Sequence, residues 1–158
     1  MFREMRRFKQ QISTEECIRI LKEQPRGVLS MIGDQGFPYG IPLDHWYDEK
    51  SGHIYFHCAK DGHKMDAIQR CNKVGYCVYD KGYRKTGEWA LNINSVVIFG
   101  KINIVEDEAK KREICIEISK KFTDDEAYIA KEMESAFGRV CCLELVVEHM
   151  TGKLVNEA

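Results

Sequence analysis

The sequence predicts an α+β fold, mainly antiparallel β, in which one sheet closes on itself and helices flank it. Three observations predict it. Short β-prone segments are joined by turn chemistry rather than by crossover helices, so neighbouring strands run antiparallel. Segments with helical apolar spacing fall only at the start, after the third strand and before the last. No linker, low-complexity stretch or repeat interrupts the 158 residues, a length that suits a single domain (1–158) with a real core.

Residues 1–12 read as an N-terminal arm. Ser13-Thr14-Glu15-Glu16 is a capping box that opens a helix through about Gln24, with Cys17, Ile20 and Leu21 on its apolar face, and Pro25 ends it. Gly27 to Ile32 is a first strand. Gly33-Asp34-Gln35-Gly36 turns into a second, Tyr39 to Tyr47, and Asp48 to Gly52 turns into a third, His53 to Cys58. Gly62 to Arg70 has helical spacing through Met65 and Ile68, with Asp61 as its N-cap. Strands follow at Val74 to Tyr79 and at about Ala90 to Val105. A helix over Asp107 to Phe122 repeats Ile114, Ile118 and Phe122. Another covers about Asp125 to Ala136 with Ile129 and Met133, and a last strand runs from Val140 to Glu148.

Composition excludes several classes. Lysine plus arginine (24) nearly balance aspartate plus glutamate (25), so the chain lacks the basic surplus that phosphate neutralisation requires, and nucleic acid is not expected as a partner. Arg3, Arg6, Arg7 and Lys9 cluster in the arm, which in a neutral chain reads more simply as solvated than as a nucleic-acid contact. No apolar run reaches a membrane-spanning length, and polar residues follow the basic start where a secretory signal needs an apolar core. The expected location is cytoplasmic. Seven cysteines at irregular spacing, several inside apolar runs, read as buried free thiols. His57, Cys58 and His63 match no structural zinc spacing, so no metal is expected.

The most informative segment runs from Tyr55 to Lys64. A strand delivers the chain to a glycine-containing bend, and a helix begins there with His63 and Lys64 in its first turn. Free amides and the helix dipole favour an anion at that point. A first-turn lysine opposes the dipole, which makes sense if a bound phosphate reverses the local sign; the alternative is a lysine pointing into solvent. Alternation puts Tyr55 and His57 on one face, able to line a cleft, and Ile54, Phe56 and Cys58 on the other, towards the core. A half-buried histidine satisfied by a backbone carbonyl is the other reading of His57. Pro42 inside a strand requires an edge or a bulge, either of which frees backbone groups for a ligand.

Several blocks together resemble the Nim-type nitroimidazole-resistance proteins. They are the opening Met1 to Arg7, Gly27 to Ser30, Phe37 to Leu43, Tyr55 to Lys64, Ser95 to Gly100, and the ending Glu148 to Lys153. These proteins belong to the pyridoxamine-phosphate-oxidase-like superfamily of FMN-binding split β-barrels. The resemblance covers nearly the whole chain, in order. It implies a homodimer with two FMN sites at the subunit interface, each built from both chains.

By position, the resemblance implies that His63 and Lys64 hold the FMN phosphate and that the strand carrying Tyr55, His57, Cys58 and Ala59 runs beside the flavin. Ile41, Pro42 and Leu43 would approach it through backbone groups. Ser95, with Asn94 beside it, would reach the partner's flavin, and His57 would assist reduction of a small-molecule substrate such as a nitroaromatic, with NAD(P)H or another electron donor. Trp89 to Asn94 departs from the aromatic-rich, arginine-bearing segment common in the relatives, which loosens the substrate inference. The chain also lacks the arginine-bearing ending of the vitamin B6 oxidases. A flavin or heme binding module without turnover stays open.

Overall fold

The computed structural model describes residues 1–156. Its helices are α1 (Thr14–Glu23), α2 (His63–Arg70), α3 (Glu108–Lys120) and α4 (Glu126–Ala136). Its strands are β1 (Arg26–Ile32), β2 (Pro38–Asp48), β3 (His53–Ala59), β4 (Lys73–Tyr79), β5 (Asn92–Ile104) and β6 (Val140–Asn156). All six strands pair antiparallel and close into a ring in the order β1-β2-β3-β6-β5-β4. This is the α+β split-barrel architecture expected from the sequence.

Alternation fills the barrel. Leu29, Ile54, Phe56, Tyr76, Val96, Ile98, Leu143 and Leu145 point inward and are buried, and α1 adds Cys17, Ile20 and Leu21. The Ser13 side chain accepts the Glu16 amide at 3.1 Å, closing α1 as the capping box predicts. A second, smaller cluster lies outside the barrel, where α3 lays Ile114, Cys115 and Ile118 over Tyr55 and Cys142. The β5–β6 ladder slips one position between Phe99 and Gly100. A Cβ on Gly100 would stand 2.1 Å from the Val146 carbonyl oxygen, so only glycine fits the bulge.

Most boundaries shift by a residue, and four features differ more from the expectation. β6 continues to Asn156, because β5 is long enough to pair with it throughout. β5 begins at Asn92 rather than Ala90. α3 ends at Lys120, leaving Phe122 exposed beyond it. Gly62, not Asp61, is the N-cap of α2, and no side chain caps it. The arm is also less free than its charge suggests, since the Phe2 ring stacks on His149 at 4.7 Å and on Phe99 at 5.9 Å.

One buried polar group makes the fold acid-sensitive. The His45 ring is fully buried, with Nε2 donating to the Leu21 carbonyl (2.7 Å). The Tyr76 hydroxyl lies 2.8 Å from Nδ1 and 2.9 Å from the Leu43 carbonyl, sharing one proton between them. Burial, with the charge of Lys121, pushes the imidazole pKa down to about 3. The unfolded chain therefore binds a proton near pH 6.5 that the folded chain refuses. Stability from this group is complete above pH 6.5 and falls as pH drops towards 3, at about 1.4 kcal/mol per unit. By pH 5 the loss is about 2 kcal/mol. Thermal melts from pH 7 to 4.5 should show a shallower slope in His45→Gln than in the natural sequence; parallel slopes would remove the assignment.

Candidate functional site at the split of the barrel

β2 and β3 part company halfway along. They pair from His45↔Phe56 to Asp48↔His53, whereas Pro38 to Asp44 of β2 pair with β1 alone. On the other side of the gap, His57 to Ala59 pair with β6 alone. Pro42 thus sits on an edge, as its missing amide requires. The facing edges of Ile41, Pro42 and Leu43 on β2, and of His57, Cys58 and Ala59 on β3, leave backbone groups free for a ligand.

The N-terminus of α2 closes the end of this gap. Gly62 takes φ 108°, a conformation side chains rarely adopt, with nothing near its Cβ direction. No side chain caps the first-turn amides of α2. Lys64 is half-buried and has no hydrogen-bond or ion-pair partner among the described residues. Its charge acts on the thiol of Cys141, the residue opposite Cys58 in the β3–β6 ladder. His63 is differently placed. Its ring stacks on Tyr39 at 4.0 Å, and Nε2 accepts the Asp34 amide (3.3 Å), 3.7 Å from the Asp34 carboxylate that also binds Arg70.

His57 points outward from β3 into a cavity of about 190 Å³ under α3 and α4, lined also by Cys115, Ser119, Glu132, Met133 and Phe137. It is half-buried and has no hydrogen-bond partner among the described residues, so no carbonyl satisfies it. Burial lowers its pKa, opposed by the charge of Asp44 on the facing edge of β2. The ring is accordingly neutral at pH 7, with one nitrogen carrying a proton and the other able to accept one.

The remaining expected residues divide. Tyr55 shares His57's face but lines no cleft. It is buried beneath α3, 5.4 Å from the Trp46 ring, and its hydroxyl donates to Glu144 (2.7 Å). The helix that covers it comes from about sixty positions later, beyond the reach of strand alternation. Cys58 faces inward against the core and offers only its backbone to the gap. Asn94 turns its side-chain amide to the Asp80 carboxylate (2.8 Å). Ser95 lies on the outward face of β5, between Tyr79 and Lys153. Measured along β6, Ser95 (opposite Lys153) and His57 (opposite Cys142) stand eleven positions apart, roughly 35 Å at about 3.3 Å per residue. One chain does not bring them together.

Two elements of the site escaped the sequence reading. Asp44 was legible in principle, because Gly40, Pro42 and Asp44 share the outward face of β2. The wall formed by Ser119, Glu132 and Phe137 was not, since nothing local ties α3 and α4 to His57.

The sequence profile of the pyridoxamine 5'-phosphate oxidase family matches residues 13–154, which include every element of the split and its walls. The chain belongs to this family. No curated protein sequence matches it significantly. Among solved structures, it is similar to a candidate 5-nitroimidazole antibiotic resistance protein from Bacteroides thetaiotaomicron, at 21% identity and a TM-score of 0.75, over 92% of this chain and 87% of that one. It is similar also to a FAD-binding protein from Mesorhizobium loti, at 18% identity and 0.66, over 92% and 97%. The FAD and heme binding protein from Mycobacterium smegmatis matches at 17% and 0.72, over 92% and 73%. At these identities the likeness establishes the shared fold.

Proposed function

We propose that the protein is a flavoprotein that binds FMN at the split of the barrel and reduces small oxidised molecules such as nitroaromatics. The observation that carries this reading is the gap itself: two unpaired strand edges that end on an uncapped helix start with an unpartnered lysine. The donor set suits the cofactor. Lys64 and the α2 amides offer charge-assisted and neutral donors to a phosphate, while the β2 and β3 edges offer amides and carbonyls to the rim of a planar ring. His63, held by Asp34 and Tyr39, would shape the phosphate pocket more than fill it. Structural neighbours whose names record FAD binding support a flavin in this fold.

When bound, a flavin supplies two-electron transfer from a donor such as NAD(P)H to a substrate. The chain's own part is to bind the phosphate through Lys64, to orient the ring along β2 and β3, and to hold a proton at the neutral His57 imidazole facing the cavity.

The working form would be a homodimer. The outward faces of β1, β2, β4 and β5 carry Val28, Pro42, Cys77 and Val97 in one cross-strand row, with Gly40, Ser30, Gly75 and Phe99 in the next. Val28 and Phe99 are 36% and 43% exposed in the single chain, an apolar sheet surface of the kind obligate interfaces cover. Ser95 borders the same face, so a second copy would supply the Asn94–Ser95 end that one chain holds remote from His57.

Adding FMN to purified apoprotein should give stoichiometric uptake in a particle of twice the chain mass, and NADH or NADPH should bleach the bound flavin until a nitroaromatic restores its colour. No uptake sinks the flavin reading. Uptake without any turnover leaves a binding module, and a Soret band after expression with heme makes it a heme carrier.

A further inference from the structure

We propose that Cys115 and Cys142 form a redox-active dithiol that closes to a disulfide when peroxide enters the cavity beside His57. The two thiols come from different elements, α3 and β6, and their sulfurs lie 3.8 Å apart. A disulfide needs about 2.05 Å, so closure asks for less than 2 Å of side-chain movement. Neither thiol belongs to the flavin reading above, and the inference does not rest on it.

The pair is asymmetric in access. Cys115 lines the cavity of about 190 Å³ that also holds His57, which gives a small oxidant a route to it. Cys142 is fully buried behind it. It is asymmetric in charge as well. The hydrogen bond with Cys142 holds the Cys115 thiol below its ordinary pKa against the effect of burial, and the Lys111 ammonium lowers both thiols. The same contact and burial push Cys142 up. The accessible sulfur is thus the one a small oxidant meets, while the hidden thiol donates to the Lys111 carbonyl at 3.8 Å.

The chemistry balances with hydrogen peroxide as the oxidant. The Cys115 thiolate attacks a peroxide oxygen, the O–O bond breaks, and hydroxide leaves and takes up the proton that Cys115 released on ionising, giving a sulfenic acid and one water. The Cys142 sulfur then attacks the Cys115 sulfur, the S–O bond breaks, and the thiol proton leaves with the hydroxyl as water. Two electrons pass from the thiols to peroxide, which ends as two waters. The bond joins positions 27 apart and ties α3 to the barrel, fixing the cavity wall beside His57.

The test treats reduced, folded protein with hydrogen peroxide and counts thiols. Two of the seven should disappear, with loss of two hydrogens in mass, recovery under dithiothreitol, and a rise in melting temperature of several degrees. Trypsin leaves Cys141 and Cys142 on one peptide, so fragmentation between them must place the bridge on Cys142. In Cys142→Ser, dimedone should trap a sulfenic acid on Cys115; in Cys115→Ser, no adduct should form at Cys142. A bridge between Cys58 and Cys141, indiscriminate oxidation, or no thiol loss before unfolding would each overturn the proposal. Mapping the bridge in the natural sequence decides it even where a variant folds poorly.

Discussion

His57→Ala should lower turnover about 10²–10⁴-fold at saturating FMN and leave FMN affinity within a few-fold. That range belongs to a side chain that delivers or takes a proton at the reacting molecule. The imidazole is suited to it because burial keeps the ring neutral, Asp44 partly offsets that burial, and no hydrogen bond from the described residues occupies its nitrogens. A histidine that merely supported β3 would behave differently: its loss would lower the melting temperature and FMN retention together and spare turnover once flavin is restored. Titrating FMN into the variant, then measuring nitroaromatic reduction at saturation, separates the two. Normal turnover in the saturated variant removes the catalytic role. His57→Gln, which keeps a donor but cannot shuttle a proton at neutral pH, should fail like alanine if proton transfer is the reason.

The fold was readable because its signals are local. Alternation along β3 and β6, turn residues at Gly33–Gly36 and Asp48–Gly52, and the capping box at Ser13 each act within a few residues; they fix strand faces, antiparallel hairpins and a helix start that are mutually consistent. Boundaries fared worse where a partner strand sets them. β6 runs on to Asn156 only because β5 accompanies it, and no residue after Glu148 announces that pairing.

The candidate site divides on the same line. The place of Lys64 in the first turn of α2 and of Pro42 on a strand edge was legible, the first from helical spacing and the second from a missing amide. Tyr55 was misplaced because alternation assigns a face but not what covers it, and α3 turns that face into a second core. His63 read as a ligand by its place in the helix, whereas Asp34 on the β1–β2 connection and Tyr39 of β2 engage it. The separation of Ser95 from His57 follows from register, which one sequence does not state.

Lys64→Ala should weaken FMN binding roughly ten- to a hundred-fold, equivalent to about 1.5–3 kcal/mol for one charge-assisted contact. The estimate rests on a lysine that gains nothing where it stands. At the first turn of α2 its charge opposes the helix dipole, and no carboxylate among the described residues pairs with it. A dianionic phosphate at the uncapped amides would reverse that local sign and give the ammonium its partner. Riboflavin offers the same ring without the phosphate, so its affinity should be nearly equal in the natural sequence and the variant. Lys64→Arg should recover most of the FMN affinity, since it restores the charge. The melting temperature of the apoprotein should hold or rise, because removing a cation from a helix start relieves an unfavourable interaction. Flavin fluorescence titrations with both ligands settle it: equal losses for riboflavin and FMN would mean that Lys64 shapes the pocket rather than holding the phosphate.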